Sequence, residues 1–337
     1  MDDAAMEKAR ERQAQLAKPP GSLGRLEDLS VQLAGITGQV HNKMEKTHLL
    51  VFAADNGVVA EGVSCAPQSV TVQQAVNMTR HKTGMSALAA YFGDQVQVVD
   101  VGICVPVSCP QVLDRKVRFS TGDIAAEPAM TEQEALRALS VGLDLAHMAK
   151  EEGIDAVGVG EMGIGNTTTS AAVLAALTGA SVEEVAGRGG GLTDGGFATK
   201  KRVLRQALAL HHPDPGEPVA VLAAVGGLDL AAMTGLFLGC AHEGLAAAVD
   251  GYISIVAACA PCGCVPGCGI ICSCPTPPMR SATGWQPGSW GWSRVCCWAC
   301  AWARAAGVPC CSGYCRGPAR CWTGWPPSRR RPLRTNI

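Results

Sequence analysis

The chain has 337 residues, 47% of them hydrophobic and 17% charged, which is enough to bury a large core. Its formal charge of −1 hides an asymmetry: all 29 acidic residues lie at or before Asp250, whereas 9 of the 28 basic ones lie beyond it. The acidic body argues against a nucleic-acid enzyme, which needs clustered Lys and Arg against phosphate, and no window holds the ~18 uncharged apolar residues of a membrane span.

The N-terminus reads as a helix over residues 3–17, and Asp2, Asp3, Glu7 and Lys8 deny it the apolar core of a signal peptide, so a cytoplasmic location is expected. Lys18-Pro-Pro-Gly-Ser-Leu-Gly24 stops this helix before a second begins near Arg25. Residues 1–45 are therefore expected to form a small helical satellite. From His48 onward, short apolar runs each end in glycine: 49–54, 96–101, 154–159 and 219–225. Helical stretches lie between and after them, at 70–79 with 84–91, 132–150, 166–177 and 228–249. Uniformly apolar strands alternating with helices predict a parallel sheet covered on both faces, hence a doubly wound, Rossmann-like α/β domain over 46–258. In such folds ligands sit at the carboxyl ends of the strands, so the glycine-rich segments 55–57, 160–166 and 226–227 are expected to share one crevice.

Residues 160–169, Gly-Glu-Met-Gly-Ile-Gly-Asn-Thr-Thr-Thr, leave a strand and enter a helix, offering free N–H groups, a positive dipole end and three hydroxyls to an anion. The plainer alternative is a turn capped by Asn166 or Thr167. There is no Gly-Lys-Ser/Thr ending of a nucleoside triphosphatase loop. Gly187-Arg-Gly-Gly-Gly-Leu-Thr-Asp194, followed by Lys200-Lys-Arg202, joins close backbone approach to cationic groups, as a phosphorylated sugar would require; a solvated surface loop is the other reading. Asp55, Glu61 and Glu161 are strand-end carboxylates able to serve as acid, base or cation stabiliser, or merely as helix caps.

Taken together, these segments carry a resemblance. Lys18-Pro-Pro-Gly-Ser-Leu-Gly-Arg-Leu-Glu27 looks like the N-terminal signature of the nicotinate-nucleotide:dimethylbenzimidazole phosphoribosyltransferases, the CobT family. Further blocks agree in order: 54–64 with Pro67-Gln-Ser-Val-Thr71, 161–168, 187–192, and Gly226-Gly-Leu-Asp229. The resemblance covers roughly residues 1–258. It implies transfer of phosphoribose from nicotinate mononucleotide to dimethylbenzimidazole, giving α-ribazole 5′-phosphate and nicotinate in cobalamin lower-ligand synthesis. No metal or cofactor is implied, and a homodimer is expected. By the same resemblance Ser64 and Gln73 wall the benzimidazole pocket and Glu161 lies near the ribose. Gly163, Gly165, Asn166 and Thr167 form the phosphate loop, with Gly189, Gly190 and Lys200 completing the substrate contacts. Asn56 stands where many members carry histidine. A nucleotide- or base-binding relative without catalysis is the alternative reading.

The last segment, 259–337, breaks with everything before it: it holds 13 of 17 cysteines and all 7 tryptophans. It also lacks the Gly-Glu-Gly-Ser-Gly segment that carries the family's second carboxylate, the general base. An altered reading frame near residues 257–261 accounts for this. Tryptophan has a single codon, so in a frame one base earlier Trp290-Gly291, Trp298-Ala299 and Trp302-Ala303 must each give glycine. The code then permits Gly-Glu-Gly-Ser-Gly from Trp302 onward and Arg-Asp-Tyr-Leu-Phe from residues 268–273. The competing reading is a metal-binding module, since Cys262, Cys264, Cys268, Cys272 and Cys274 cluster, but no His accompanies them and the spacing fits no common zinc pattern.

Overall fold

The computed structural model describes residues 1–260 together with 271–272. Among the described residues, six parallel strands form one sheet in the order β3-β2-β1-β4-β5-β6. They are β1 (Thr47–Ala54), β2 (Gln95–Gly102), β3 (Val112–Asp114), β4 (Ala156–Met162), β5 (Ala246–Val249) and β6 (Ile271–Cys272). Such an order places a topological switch between β1 and β4, where successive crossovers leave in opposite directions and open a crevice at the strand ends. The expected doubly wound α/β fold is present.

Helices cover both faces. Alternation along β1 shows the reason: Leu50, Phe52 and Ala54 enter one core, while Val51 and Ala53 enter another. The larger core lies under α5 (Glu132–Glu151), α6 (Asn166–Thr178) and α10 (Leu228–Glu243), with α7 (Val182–Val185), α8 (Asp194–His211), α9 (Pro218–Val225) and α11 (Tyr252–Cys259) around them. The smaller core lies under α3 (Ser69–Thr79) and α4 (Gly84–Phe92). At the N-terminus, α1 (Asp3–Ala14) packs on α2 (Arg25–Thr37) through Ala5, Ala9, Val31 and Ala34. Leu29, Leu33 and Ile36 of α2 rest on Ala156 and Ala246 of the sheet.

From Leu228 to Phe237 every residue of α10 is buried, so this helix has no solvent face in its first half. It meets α5 at backbone distance. Methyl groups at Gly142 or Gly235 would overlap the carbonyl oxygens of Ala232 and Leu139, respectively. The glycines are what let two buried helices approach so closely.

Three expectations about elements need correction. Residues 219–225 are not a strand but α9, which Pro218 opens at its first turn and which packs among α5, α6 and α8. The helix expected over 228–249 stops at Glu243, where Gly244 at φ 62° provides a left-handed cap, and β5 follows. The pair Gly226-Gly227 therefore joins two helices instead of ending a strand. The short β3 and β6 were not anticipated. The proposed change of character at residue 259 falls almost wholly outside the described residues; within them, Cys259 closes α11 and residues 271–272 pair with β5.

Candidate active site

At the carboxyl end of β1 the chain turns through Asp55 and Asn56, both fully buried. Asp55 Oδ2 accepts the Cys104 N–H at 2.9 Å, while its Oδ1 has no hydrogen-bond partner. Asn56 ties this turn to the neighbouring strand end: its Nδ2 donates to the Ile164 carbonyl at 3.2 Å, and its Oδ1 accepts from the Thr169 hydroxyl at 3.3 Å. From the other side the Thr71 hydroxyl of α3 accepts the Ile164 N–H at 3.1 Å.

β4 delivers Glu161 to the same place, and a tight turn through Gly163 and Gly165 leads into α6. Gly165 sits at φ 94°, and a side chain there would press on Val59 and Asn56. Gly163 lies under the Ala54 carbonyl, where an added Cβ would come within 2.5 Å of its oxygen and 2.9 Å of Asp229 Oδ2. The third glycine segment arrives with α10, whose first turn carries Asp229. Asn166 Nδ2 donates to Glu161 Oε2 at 2.5 Å and to Asp229 Oδ2 at 3.0 Å. Segments 55–57, 160–166 and 226–229 thus meet in one crevice, although only two of them leave strands.

In the first turn of α6 the Asn166 and Thr168 N–H groups donate to the Gly163 and Gly165 carbonyls at 3.2 and 2.8 Å, and the turn presents the positive end of the helix dipole and the Thr167 hydroxyl. Lys200, fully buried on α8, donates to Thr167 Oγ1 at 2.8 Å. Gly189 abuts the same hydroxyl, and the Gly190 carbonyl accepts from the exposed Cys65 thiol at 3.4 Å. Arg188 turns away, pairing with Asp194 at 2.5 Å and stacking over Phe197. A cleft of about 380 Å³ opens beside these groups. Leu49, Val51, Met78 and Met85 form its apolar wall, Glu161 and Thr167 its polar side, and residues 250–254 its far margin. A larger hollow of about 590 Å³ lies between α1, α2 and the 18–21 turn, but none of the candidate residues lines it.

Other candidates stand apart. Glu61 pairs with Arg202 at 2.9 Å near the surface. Ser64 makes a local turn, its hydroxyl accepting the Ala66 N–H at 3.2 Å and donating to the Ala66 carbonyl at 3.1 Å. Gln73 is exposed on α3, two residues beyond Thr71. Sequence reasoning did not single out Asp229, Asp250, Met78 or Met85. For Asp229 a signal existed, since an acidic residue in the first turn after Gly226-Gly227 complements a helix start.

The electrostatics divide the crevice in two. Burial first, then the carboxyl of Asp229, push Glu161 up to about 7, with Asp250 adding to this and the Asn166 amide opposing it. Burial likewise raises Asp229 to about 6, again against the Asn166 amide and with Asp55 adding to the rise. Burial alone lowers Lys200 to about 8. One end, with Lys200 and the α6 N-terminus, suits an anion. The other, with the carboxyls of Glu161, Asp229, Asp55 and Asp250, suits a developing positive charge. A cleft of this polarity can hold a phosphorylated sugar with its phosphate at the first end and its anomeric carbon toward the second.

A sequence profile described as phosphoribosyltransferase matches residues 1–274. The nicotinate-nucleotide–dimethylbenzimidazole phosphoribosyltransferase of Clostridium perfringens (strain ATCC 13124) is 44% identical over 258 residues, covering 77% of this chain and 72% of its own. That of Geobacter sulfurreducens is 47% identical over 263 residues, covering 78% and 75%. Among solved structures, the enzyme of the same name from Thermus thermophilus aligns with a TM-score of 0.75 at 39% identity, over 81% of this chain and 82% of that one. A second structure, CobT from the same organism, gives 0.76 at 40% identity, over 80% and 82%. The chain belongs to the nicotinate-nucleotide–dimethylbenzimidazole phosphoribosyltransferase family.

Proposed function

We propose that this cleft binds nicotinate mononucleotide and a benzimidazole base for phosphoribosyl transfer, the reaction that yields α-ribazole 5′-phosphate and nicotinate on the way to the cobalamin lower ligand. The observation that carries the reading is the juxtaposition on one crevice of Lys200 with the α6 N-terminus and of Glu161 with Asp229. Departure of nicotinate leaves an oxocarbenium-like ribose, which Glu161 stabilises, while the phosphate rests at the positive end of α6 beside Thr167 and Lys200. Gly189 and Gly190 admit the ligand's backbone-close edge. The Met78 and Met85 wall takes the aromatic base; Ser64 and Gln73 do not line this cleft. Residues 46–258 form the catalytic domain and 1–45 its helical satellite. The active assembly is a cytoplasmic homodimer without a metal.

The second carboxylate, the base that takes the proton from the attacking ring, is encoded out of frame in the tail. The chain as it stands therefore binds nicotinate mononucleotide but does not turn it over. Calorimetric binding and a turnover assay on the intact chain test both halves of this statement. The expected result is binding without α-ribazole phosphate, with turnover appearing once the frame near residues 257–261 is restored. Robust turnover by the uncorrected chain refutes the account of the tail, and absence of nicotinate mononucleotide binding refutes the account of the cleft.

A further inference from the structure

Asn166 performs an unusual task among the polar groups of the cleft. Its single side-chain amino group donates to two carboxyls, Glu161 Oε2 at 2.5 Å and Asp229 Oδ2 at 3.0 Å. The three side chains come from three elements, the end of β4 and the first turns of α6 and α10. Behind Asp229 lies Asp55, wholly buried and with one oxygen unpartnered. Asp250, which follows β5, adds its negative charge to the surroundings of Glu161. Among the described residues no Lys, Arg or His forms an ion pair with Glu161 or Asp229. Lys200, the one fully buried cation of those residues, donates to Thr167 instead. An amide can bridge two carboxyls, but it carries no charge to offset two anions held this close in a poorly solvated site, so one of them keeps its proton.

We propose that Asp229 is a positioning residue for Glu161, acting through the shared Asn166 amide, and that the two carboxyls form one unit with a single proton and a single negative charge while the cleft is empty. The inference rests on the reading that Glu161 faces the substrate ribose. Nicotinate mononucleotide brings a cationic pyridinium ring. Its arrival favours ionisation of both carboxyls, and the shared proton passes to solvent. The second negative charge thus exists only while there is a positive charge for it to stabilise, and the empty protein is spared the repulsion.

The test uses the intact chain labelled with [δ-13C]glutamate, in which the Glu161 carboxyl signal is assigned by its loss in Glu161→Gln and followed from about pH 4 to about pH 9. Asp229→Asn is expected to lower the Glu161 midpoint by about one unit or more, a ten-fold fall in proton affinity, because it removes the competing anion. Asn166→Ala is expected to raise the midpoint, because it removes the donor to the ionised form. Mere loosening of the site would admit water and move both variants downward. Should Asp229→Asn not fold, [γ-13C]aspartate in the unmutated chain reads the same coupling: Asp229 titrates in two steps that coincide with those of Glu161. A midpoint unchanged within about 0.3 unit in Asp229→Asn, both variants moving downward, or independent single steps for the two carboxyls overturns the proposal. None of these readings needs substrate. A failure of the ribose assignment, seen as absent nicotinate mononucleotide binding, is therefore distinguishable from a failure of the coupling.

Discussion

Replacing Lys200 with methionine should make the protein more stable and weaken its grip on nicotinate mononucleotide. The lysine is fully buried, and burial lowers its amine from the ordinary 10.5 to about 8. At about 1.36 kcal/mol per unit, holding it charged near pH 7 costs roughly 3 kcal/mol. Methionine occupies similar length without the charge and forfeits only the 2.8 Å bond to Thr167, worth about 2 kcal/mol when the donor is charged. The net gain is about 1 kcal/mol, or roughly 2–4 °C in Tm. The folded amine titrates below the unfolded one, so between about pH 8 and 10.5 the unfolded chain holds more protons and the unmutated protein gains stability as pH rises. The advantage of Lys200→Met should therefore fade across that window. Urea denaturation of both proteins near about pH 7 and about pH 10 measures this, and calorimetry should show nicotinate mononucleotide binding weakened about 10- to 100-fold. A variant less stable by more than about 1 kcal/mol near neutrality would show that the surroundings favour the charge, and the reasoning would fail.

Two further substitutions probe the scaffold. Gly235→Ala drives a methyl into the Leu139 backbone, which cannot yield as a side chain would; thermal unfolding should show a loss of about 1–3 kcal/mol or more, and an unchanged Tm would contradict the close approach of α5 and α10. Tyr252→Phe removes the hydroxyl that donates to the Val185 carbonyl at 2.9 Å, anchoring α11 to α7. Denaturation should register about 1 kcal/mol, and no loss would mean the hydroxyl is equally well served by water.

How far the sequence reveals this architecture depends on whether an element has a polar side. α5 was legible over nearly its full length because Thr131 caps it with Glu134 in a reciprocal box and its exposed face carries Leu136 beside many charges. α9 was misread because Pro-Val-Ala-Val-Leu-Ala-Ala-Val, packed among three helices, shows no period at all; eight apolar residues read equally well as a buried strand. Pro218 was the available clue, since proline opens helices and is poorly placed in a central strand. The end of α10 was missed for a similar reason, with Gly244 the overlooked stop. Glu161, Asn166 and Thr167 stood out because glycine spacing marks a strand-to-helix turn, and Lys200 because it follows the second glycine segment and by the family resemblance. Asp229 had only its place in a helix's first turn to mark it, and Asp250 had no mark, because it takes the third dimension to bring the start of α10 and the end of β5 beside β4.

The buried rod of α10 has a consequence for how substitutions would be tolerated. Asp229 is fixed to a helix whose first half has no free side and no slack against its neighbour, so a nudge along the α5 seam is relayed as a shift of that carboxyl. A saturation screen for ligand binding should consequently mark positions such as Gly142 and Gly239, remote from any ligand, as sharply as those that touch it.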